Sequence, residues 1–263
     1  MIKPIIKNFI EQHPYLWKLA WQILQSSNLF LPHDPTYKAL PKLIEDGQSL
    51  ILDIGANQGI SALSFRKLCP TNPIISFEPN PALEVDLKLV TNRISNFKYH
   101  MSGLGDTEGD FILFIPKYKT IFLHTFSSLD YGSLEKAIND TYKSNIFKFI
   151  KIEPFECKIL TLDSFGYLPS VIKVDAEGFE EKIFLGGVNT LNKCRPSIIF
   201  EAVHGSLNGI LDNLKNLDYK IVSYIPEQDV FHYFSEQYQV PYISGSRNLI
   251  AVSEKTLSRL NLE

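Results

Sequence analysis

The chain has 263 residues, of which 44% are hydrophobic and 21% are charged, a composition that predicts a globular protein with one large α/β domain and an extension, or two small domains. Its net charge of −3 gives no reason to expect nucleic-acid binding, and no apolar run approaches the roughly 18 residues that a membrane span needs. The cysteines, Cys69, Cys157 and Cys194, are odd in number and lack zinc-site spacing, so we expect no disulfide framework and a reducing, cytoplasmic location.

Residues 1–48 precede the first predicted strand and carry apolar residues at helical spacing, with an interruption near Pro14. The pattern predicts an N-terminal extension of one or two amphipathic helices, followed by the main domain over residues 49–263. Lys7 and Glu11 break the apolar run that a secretion signal would need. The extension could be a cap packed on the sheet, the arm of a homodimer, a lid or a membrane-surface helix. We favour the cap or the arm, because the positive charges are too few for a membrane surface.

The first predicted strand runs into a glycine turn within the sequence Leu50-Ile-Leu-Asp-Ile-Gly-Ala-Asn-Gln-Gly59. Its apolar run is typical of a buried parallel strand, and the residues after Gly59 have helical spacing. A strand that turns through glycines into a helix begins an open nucleotide-binding sheet. Asn57 stands in a glycine position of the phosphate-binding pattern G-x-G-x-x-G, so the turn favours a ligand without a phosphate. S-adenosylmethionine (SAM) is such a ligand, and Asp53 would suit its ammonium and sulfonium charges; a turn without a ligand is the simpler alternative.

An acidic residue follows the second predicted strand, Ile74–Phe77. Glu78 lies 19 residues after Gly59, close to the spacing at which an acid binds a cofactor ribose. Its carboxylate could accept hydrogen bonds from both ribose hydroxyls; a surface glutamate at a strand end is the alternative. Asn80 and Pro81 then predict the start of a capped helix.

The third predicted strand, Phe97–Met101, leads into a glycine-rich turn over residues 102–109. In a doubly wound sheet the loop after the third strand lies near the adenine. We therefore place Ser102, Gly103 and Leu104 beside the adenine.

Two long segments, residues 116–153 and 226–246, fit no simple period and are rich in aromatic residues. Irregular segments of this length are often binding loops or lids. We predict that they form the acceptor pocket, with a peripheral helix over residues 134–150 as the alternative for the first segment. A further strand is predicted over residues 157–163.

The second informative stretch is Val171-Ile-Lys-Val-Asp-Ala-Glu-Gly-Phe-Glu180. It predicts a strand that ends at Asp175 and a helix that begins near Gly178, with a stop at the following glycine pair. Asp175, Glu177 and Glu180 cluster where the sheet opens toward a ligand. Alternatively, the acids only complement the positive end of the helix dipole.

The rest of the chain predicts three strands and one helix. The strand Ser197–Glu201 again ends in an acid, and His204 lies just beyond it. An amphipathic helix follows over residues 207–217, then an outer strand over residues 219–225 and the last strand over residues 248–252.

Taken together, these motifs resemble the FkbM-type SAM-dependent methyltransferases. The resemblance covers about residues 49–253 and rests on Leu52-Asp-Ile-Gly-Ala-Asn-Gln-Gly59, Ser76-Phe-Glu-Pro-Asn80, Thr161-Leu-Asp163, Ile172-Lys-Val-Asp-Ala-Glu-Gly-Phe-Glu180 and Asn248-Leu-Ile-Ala-Val252. It implies a Rossmann-like class I methyltransferase fold, an α/β fold with a seven-stranded, mostly parallel sheet, the last strand inserted antiparallel, and helices on both faces.

The resemblance further implies methyl transfer from SAM, with S-adenosylhomocysteine (SAH) as the product, most often to a hydroxyl of a sugar or natural product. The acceptor is expected to be a small molecule, a glycan or a peptide. The residues that we assign to cofactor binding are Asp53, Gly55, Ala56, Asn57, Gly59, Glu78, Pro79, Ser102, Gly103, Leu104 and Asp175.

Methylation of an alcohol also requires a group that removes the acceptor proton as the new bond forms. Our candidates are Asp175, then His204, then Glu201 and Glu177. Asp175, Glu201 and His204 could instead hold Mg²⁺ or Mn²⁺, since carboxylates suit such ions. We predict no metal site, because the sequence contains no compact ligand motif.

Three other functions share part of this pattern. One is N-methylation of an amide or amine, including a peptide side chain. Another is a nicotinamide-dependent oxidoreductase, which has the same order of strand, glycine turn, helix and acid, although the chain lacks the third glycine and a Tyr-x-x-x-Lys pair. The last is a SAM-fold module without catalytic activity, which fold analogy alone does not exclude.

Overall fold

The computed structural model describes residues 32–119, 121–141, 150–202, 207–234, 248–260 and 262. Two compact units divide them. The larger unit, called the sheet unit below, combines residues 32–111 and 157–263, and the inserted unit contains residues 112–156. Most of the predicted N-terminal extension, residues 1–31, lies outside the described residues, whereas residues 32–48 group with the sheet unit.

The described strands are numbered along the chain. They are β1 (Leu50–Ile54), β2 (Ile74–Phe77), β3 (Phe97–His100), β4 (Gly103–Leu104), β5 (Gly109–Tyr118), β6 (Ile121–Phe122), β7 (Ile150–Leu160), β8 (Pro169–Val174), β9 (Ser197–Glu201), β10 (Lys220–Ile225), β11 (Val230–Tyr233) and β12 (Asn248–Val252).

The described α-helices are mostly short. They are α1 (Leu40–Leu43), α2 (Ile60–Leu68), α3 (Glu84–Arg93), α4 (Tyr131–Thr141), α5 (Glu180–Leu185), α6 (Val188–Cys194), α7 (Leu207–Asn216) and α8 (Glu254–Leu257). Short 3₁₀ turns occupy Pro35–Ala39, Pro81–Leu83, His124–Phe126 and Asp163–Phe165. None of the helices in the described part of the chain is long and apolar enough to cross a membrane.

The sheet unit is built on one sheet with the strand order β11–β10–β12–β9–β8–β1–β2–β3. The strands from β3 to β9 in this order are parallel, and β12 lies antiparallel between β9 and β10. This arrangement confirms the predicted fold class, including the insertion of the last strand. The sheet has eight strands rather than seven, because β11 pairs antiparallel with β10. The prediction of a loop throughout residues 226–246 is wrong at β11.

Both faces of this sheet are buried, as the continuous apolar run of β1 indicates. Ile51 belongs to the core on one face and Leu52 to the core on the other, and both are 0% exposed. Tyr37 and Leu40 contribute to the first core, and the Tyr37 ring packs edge-on against Phe65 at 4.9 Å. The described end of the predicted extension is therefore part of the sheet unit's core.

Several element boundaries differ from the prediction. The helix expected near Gly178 begins at Glu180 and ends at Leu185, directly before the glycine pair. A two-residue strand, β4, interrupts the predicted glycine-rich turn and pairs in parallel with the end of β7. In the inserted unit, β5 pairs antiparallel with β6. Helix α4 begins at Tyr131 instead of residue 134, and residues 142–149 of the predicted helix lie outside the described residues. Tertiary pairing over more than fifty residues creates β4, and local periodicity does not report such pairing.

Gly55 is a position where the fold requires glycine. Its φ angle is +76°, and a Cβ atom at this position would overlap the carbonyl oxygen of Asp175. We expect Gly55→Ala to destabilise the protein by about 3 kcal/mol or more and to lower the melting temperature by roughly 5–10 °C. Gly166 is the matched control, because its φ is +63° but nothing lies within 4 Å of the added Cβ. Gly166→Ala should cost only about 1 kcal/mol, and equal losses in thermal melts of the two variants would contradict the steric explanation.

Candidate functional site

The predicted site residues meet at the edge where the parallel strands end. Strands β9, β8, β1 and β2 are neighbours in this order. Their carboxyl ends bring Glu201, Asp175, Asp53 and Glu78 to one edge of the sheet. Ligands of open α/β sheets bind at this edge, next to the point where the strand order reverses.

The glycine turn after β1 is tied to the neighbouring strand. The backbone N–H groups of Gly55 and Ala56 both donate to the carbonyl of Phe77 at 3.0 Å. Asn57 has a φ of +49°, a conformation that asparagine tolerates better than most residues. Gly59 has a φ of +78°, and a Cβ there would come within 2.7 Å of a Val90 methyl group. The turn therefore lets the start of α2 pack closely against α3.

Glu78 connects the glycine turn after β1 with the acidic motif after β2. It is 6% exposed, and its Oε2 accepts a hydrogen bond from the Asn57 N–H at 2.7 Å. Its Oε1 accepts from the Asn80 N–H at 2.9 Å. Burial raises the pKa of Glu78 to about 7, although these two N–H groups act in the opposite direction. A carboxylate in this position is held rigidly beside the glycine turn.

Asp53 faces inward and lies in a buried polar cluster. It is 0% exposed, and its Oδ2 accepts from the Ser61 hydroxyl at 2.7 Å and from the Ser76 hydroxyl at 2.9 Å. Its Oδ1 lies 3.3 Å from the Lys173 ammonium nitrogen. The sequence predicts that Asp53 suits the charge of a cationic ligand, and this stays a prediction. Its Oδ2 is hydrogen-bonded inside the protein, and its Oδ1 has the Lys173 ammonium as ion-pair partner but no hydrogen bond among the described residues.

Lys173 joins β8 to the end of β1 and is 4% exposed. Its Nζ donates to the carbonyls of Gly55 at 2.7 Å and Ile54 at 3.3 Å, and lies 3.6 Å from Asp175 Oδ2. Burial alone would lower the pKa of Lys173, but the carboxylates of Asp53 and Asp175 outweigh burial and raise the pKa above its usual value. The lysine is therefore positively charged in the folded protein. Sequence reasoning missed this residue, although a lysine inside an apolar strand was a visible signal.

The loop between β8 and α5 presents further carboxylates. The Asp175 side chain is 41% exposed, and Glu177 is exposed on a left-handed backbone with φ of +48°. The pKa of Glu177 is raised to about 8. The first cause is the loss of hydration where the carboxyl group lies against the protein, and the second is repulsion by the carboxylates of Asp175, Glu201 and Glu180. Glu180 is 0% exposed, and its Oε1 accepts from the N–H groups of Ala176 and Gly178. Burial also raises the pKa of Glu180. Its hydrogen bonds to the backbone hold the loop from the side of the protein interior.

The segment after β3 lies beside the Glu78 motif. A Cβ on Gly103 would be 3.2 Å from Pro79 Cβ and 2.6 Å from a methyl group of Ile159. Ser102 is 5% exposed, and its hydroxyl has no hydrogen-bond partner among the described residues. Leu104 is 2% exposed and packs in the core. Ser102 and Gly103 are thus buried beside Pro79, and the role of all three residues after β3 stays a prediction.

The predictions on His204 and on a metal site remain untested. His204 lies outside the described residues, so its role stays a prediction. Among the described residues, no group of three His, Cys, Asp or Glu side chains is arranged to hold a metal ion. The roles assigned to the other site residues also stay predictions, although the structure brings Glu78, Asp175, Glu177 and Glu201 to the same sheet edge as the glycine turn.

The strand order and the acid-lined edge define a class I fold of the SAM-dependent methyltransferase type. A family model described as the methyltransferase FkbM domain matches residues 53–221. The chain therefore belongs to the FkbM methyltransferase family, which confirms the resemblance noted in the sequence. A search of curated proteins found no match.

Solved structures with similar chains are distant in sequence. A methyltransferase FkbM from Methylobacillus flagellatus KT is 16% identical with a TM-score of 0.48, and the match covers 82% of this chain but only 48% of that one. A precorrin-6y C5,15-methyltransferase from Geobacter metallireducens GS-15 is 12% identical with a TM-score of 0.40, over 81% of this chain and 83% of that one. Fibrillarin from Aeropyrum pernix, in complex with natively bound SAM, is 11% identical with a TM-score of 0.40, over 82% and 72% of the two chains.

Proposed function

We propose that this protein transfers a methyl group from SAM to a hydroxyl group of a sugar or natural-product intermediate. The observation that carries this proposal is the buried carboxylate of Glu78, which is hydrogen-bonded to the glycine turn through Asn57. A ribose diol offers two donors, and a carboxylate accepts both. The ribose would replace part of the water at this edge, and its hydroxyls would donate to the remaining lone pairs of the two Glu78 carboxylate oxygens.

The residues at the sheet edge fit the parts of SAM in order. Glu78 would hold the ribose, and the Ser102 hydroxyl, which lacks a partner among the described residues, would hydrogen-bond the adenine beside Pro79 and Gly103. The backbone of Gly55, Ala56, Asn57 and Gly59 would line the cleft. Asp175 would face the cationic end of the ligand.

SAM supplies an electrophilic methyl group on a sulfonium whose leaving product is a neutral thioether. The protein therefore has no charged leaving group to stabilise, and its contribution is alignment and exclusion of water. Asp175 is the first candidate to accept the hydroxyl proton, since it directly follows β8 and its side chain is partly exposed. Glu177, with a pKa raised to about 8, would be a stronger base than an ordinary carboxylate in the fraction of molecules in which it is ionised.

N-methylation is the second candidate function, and the carboxylates on the loop after β8 favour it. Asp175 and Glu201 are close enough to Glu177 that their charges raise its pKa. Such a cluster would attract a protonated amine and could then remove its proton. The family assignment favours either form of methyl transfer over a nicotinamide-dependent oxidoreductase.

The test is methyl transfer from SAM that carries a labelled methyl group. We expect the purified protein to bind SAM and SAH in calorimetry and not to bind NAD or NADP. It should label neutral polyhydroxyl acceptors in a mixture of sugar and natural-product alcohols, and mass spectrometry should locate the label on oxygen. Labelling of amines alone would replace the first proposal by the second. Binding of SAM without transfer to any acceptor class would favour a non-catalytic module.

A further inference from the structure

We propose that Lys173 is a positioning residue that sets the charge of the SAM site, and through this charge the preference of the site for SAM over SAH. The inference rests on the proposed function, because it assumes that SAM binds at this sheet edge. It concerns the ammonium of Lys173 and the carboxylates of Asp53 and Asp175, both of which form ion pairs with it. These three groups are called the charged trio below.

The geometry explains why the charged trio acts as a unit. Lys173 Nζ lies 3.3 Å from Asp53 Oδ1 and 3.6 Å from Asp175 Oδ2. Asp53 and Lys173 are 0% and 4% exposed, so water screens their charges little. Only Asp175 reaches the solvent edge, with 41% of its side chain exposed. A ligand at the edge therefore meets Asp175 directly and the buried pair behind it.

The charges of the trio match one ligand better than the other. One ammonium and two carboxylates leave a single net negative charge. SAM has an ammonium, a sulfonium and a carboxylate, and so carries a single net positive charge, whereas SAH lacks the sulfonium charge and is neutral overall. The trio thus attracts the substrate more than the product. Without Lys173 the trio would hold two negative charges, and without Asp53 its net charge would be zero.

Lys173 also fixes the shape of the turn. Its Nζ donates to the carbonyls of Ile54 and Gly55, the last residue of β1 and the first of the glycine turn. These carbonyls are satisfied by the protein before a ligand arrives. The same ammonium therefore orients the turn and balances the charge, and the two effects can be separated by measuring a ratio of affinities.

The experiment measures the dissociation constants of SAM and SAH by calorimetry at one fixed pH for all variants. Asp53→Asn makes the trio neutral and should lower the preference for SAM over SAH by about five- to tenfold. Lys173→Met makes it doubly negative and should raise the preference by a similar factor. The double variant restores one negative charge and should return the preference to within about twofold of the wild type.

The control separates charge from folding. Asp163 accepts three hydrogen bonds, from the backbone of Asn189 and from the backbone and hydroxyl of Thr190, and none of these partners belongs to the charged trio. Asp163→Asn should lower the melting temperature and leave the ratio of the two affinities unchanged. A ratio that stays constant in either single variant, while both ligands still bind, overturns the inference. Absence of SAM and SAH binding by the wild type would instead overturn the proposed function.

Discussion

Asp175→Asn should lower turnover by at least about 100-fold, the lower range for loss of a general base. Asparagine keeps the shape of the side chain but loses its charge and basicity. SAM affinity should fall by no more than about tenfold, because one partly solvated charge is lost. The measurement is a steady-state rate with the labelled-methyl assay, together with calorimetry on the same preparations.

The pattern of losses identifies the role of Asp175. If turnover and affinity fall in parallel, Asp175 neutralises the cofactor and does not act as the base. Glu177→Gln is the companion variant, since a greater loss of turnover there would move the base to Glu177. If EDTA leaves the wild-type rate unchanged, Asp175 acts as a base and not as a metal ligand. A fully active Asp175→Asn enzyme would remove Asp175 from the chemistry and make His204 the next residue to substitute.

Much of the fold could be predicted because the sheet is buried on both faces. Parallel strands such as β1 and β8 appear in the sequence as short apolar runs, and glycine turns or acids mark their ends. The inserted antiparallel strand β12 followed from the family resemblance rather than from local pattern. Strand β11 was not predicted, because it is only four residues long and such a short alternation gives a weak signal.

The site could be predicted at the level of its position but not of its internal contacts. Each acid at a strand end was recognisable, and parallel strands bring such ends together. The direction of a side chain depends on partners that are distant in sequence. Asp53 turns inward because Ser76 and Lys173, from two neighbouring strands, and Ser61, from α2, all meet its carboxylate. No spacing rule in the sequence reports such a convergence.

Glu78 also has consequences for pH. Its pKa in the folded protein, about 7, lies above the usual 4.5, so the folded state binds a proton more tightly than the unfolded state. The contribution of this proton to the free energy of unfolding is complete below pH 4.5 and is lost as the pH rises through about 7. Ligand binding runs in the opposite direction, because only the ionised carboxylate accepts from both ribose hydroxyls. SAM affinity of the wild type should therefore rise between about pH 6 and 8, and this rise should be absent in Glu78→Gln.

Glu78→Ala should weaken SAM binding by about 100-fold, because two hydrogen bonds to a charged acceptor are lost and each contributes about 1.5 kcal/mol. The change also leaves the N–H groups of Asn57 and Asn80 without their acceptor, so the melting temperature should fall as well. Glu84→Ala is the matched control, since Glu84 forms an exposed ion pair with Lys88 at 2.9 Å on α3 and should change neither quantity much. Calorimetry with SAM and SAH on the three proteins tests the role. If the Glu78→Ala protein is folded and binds SAM with wild-type affinity, Glu78 does not hold the ribose, and the observation on which the proposed function rests is lost.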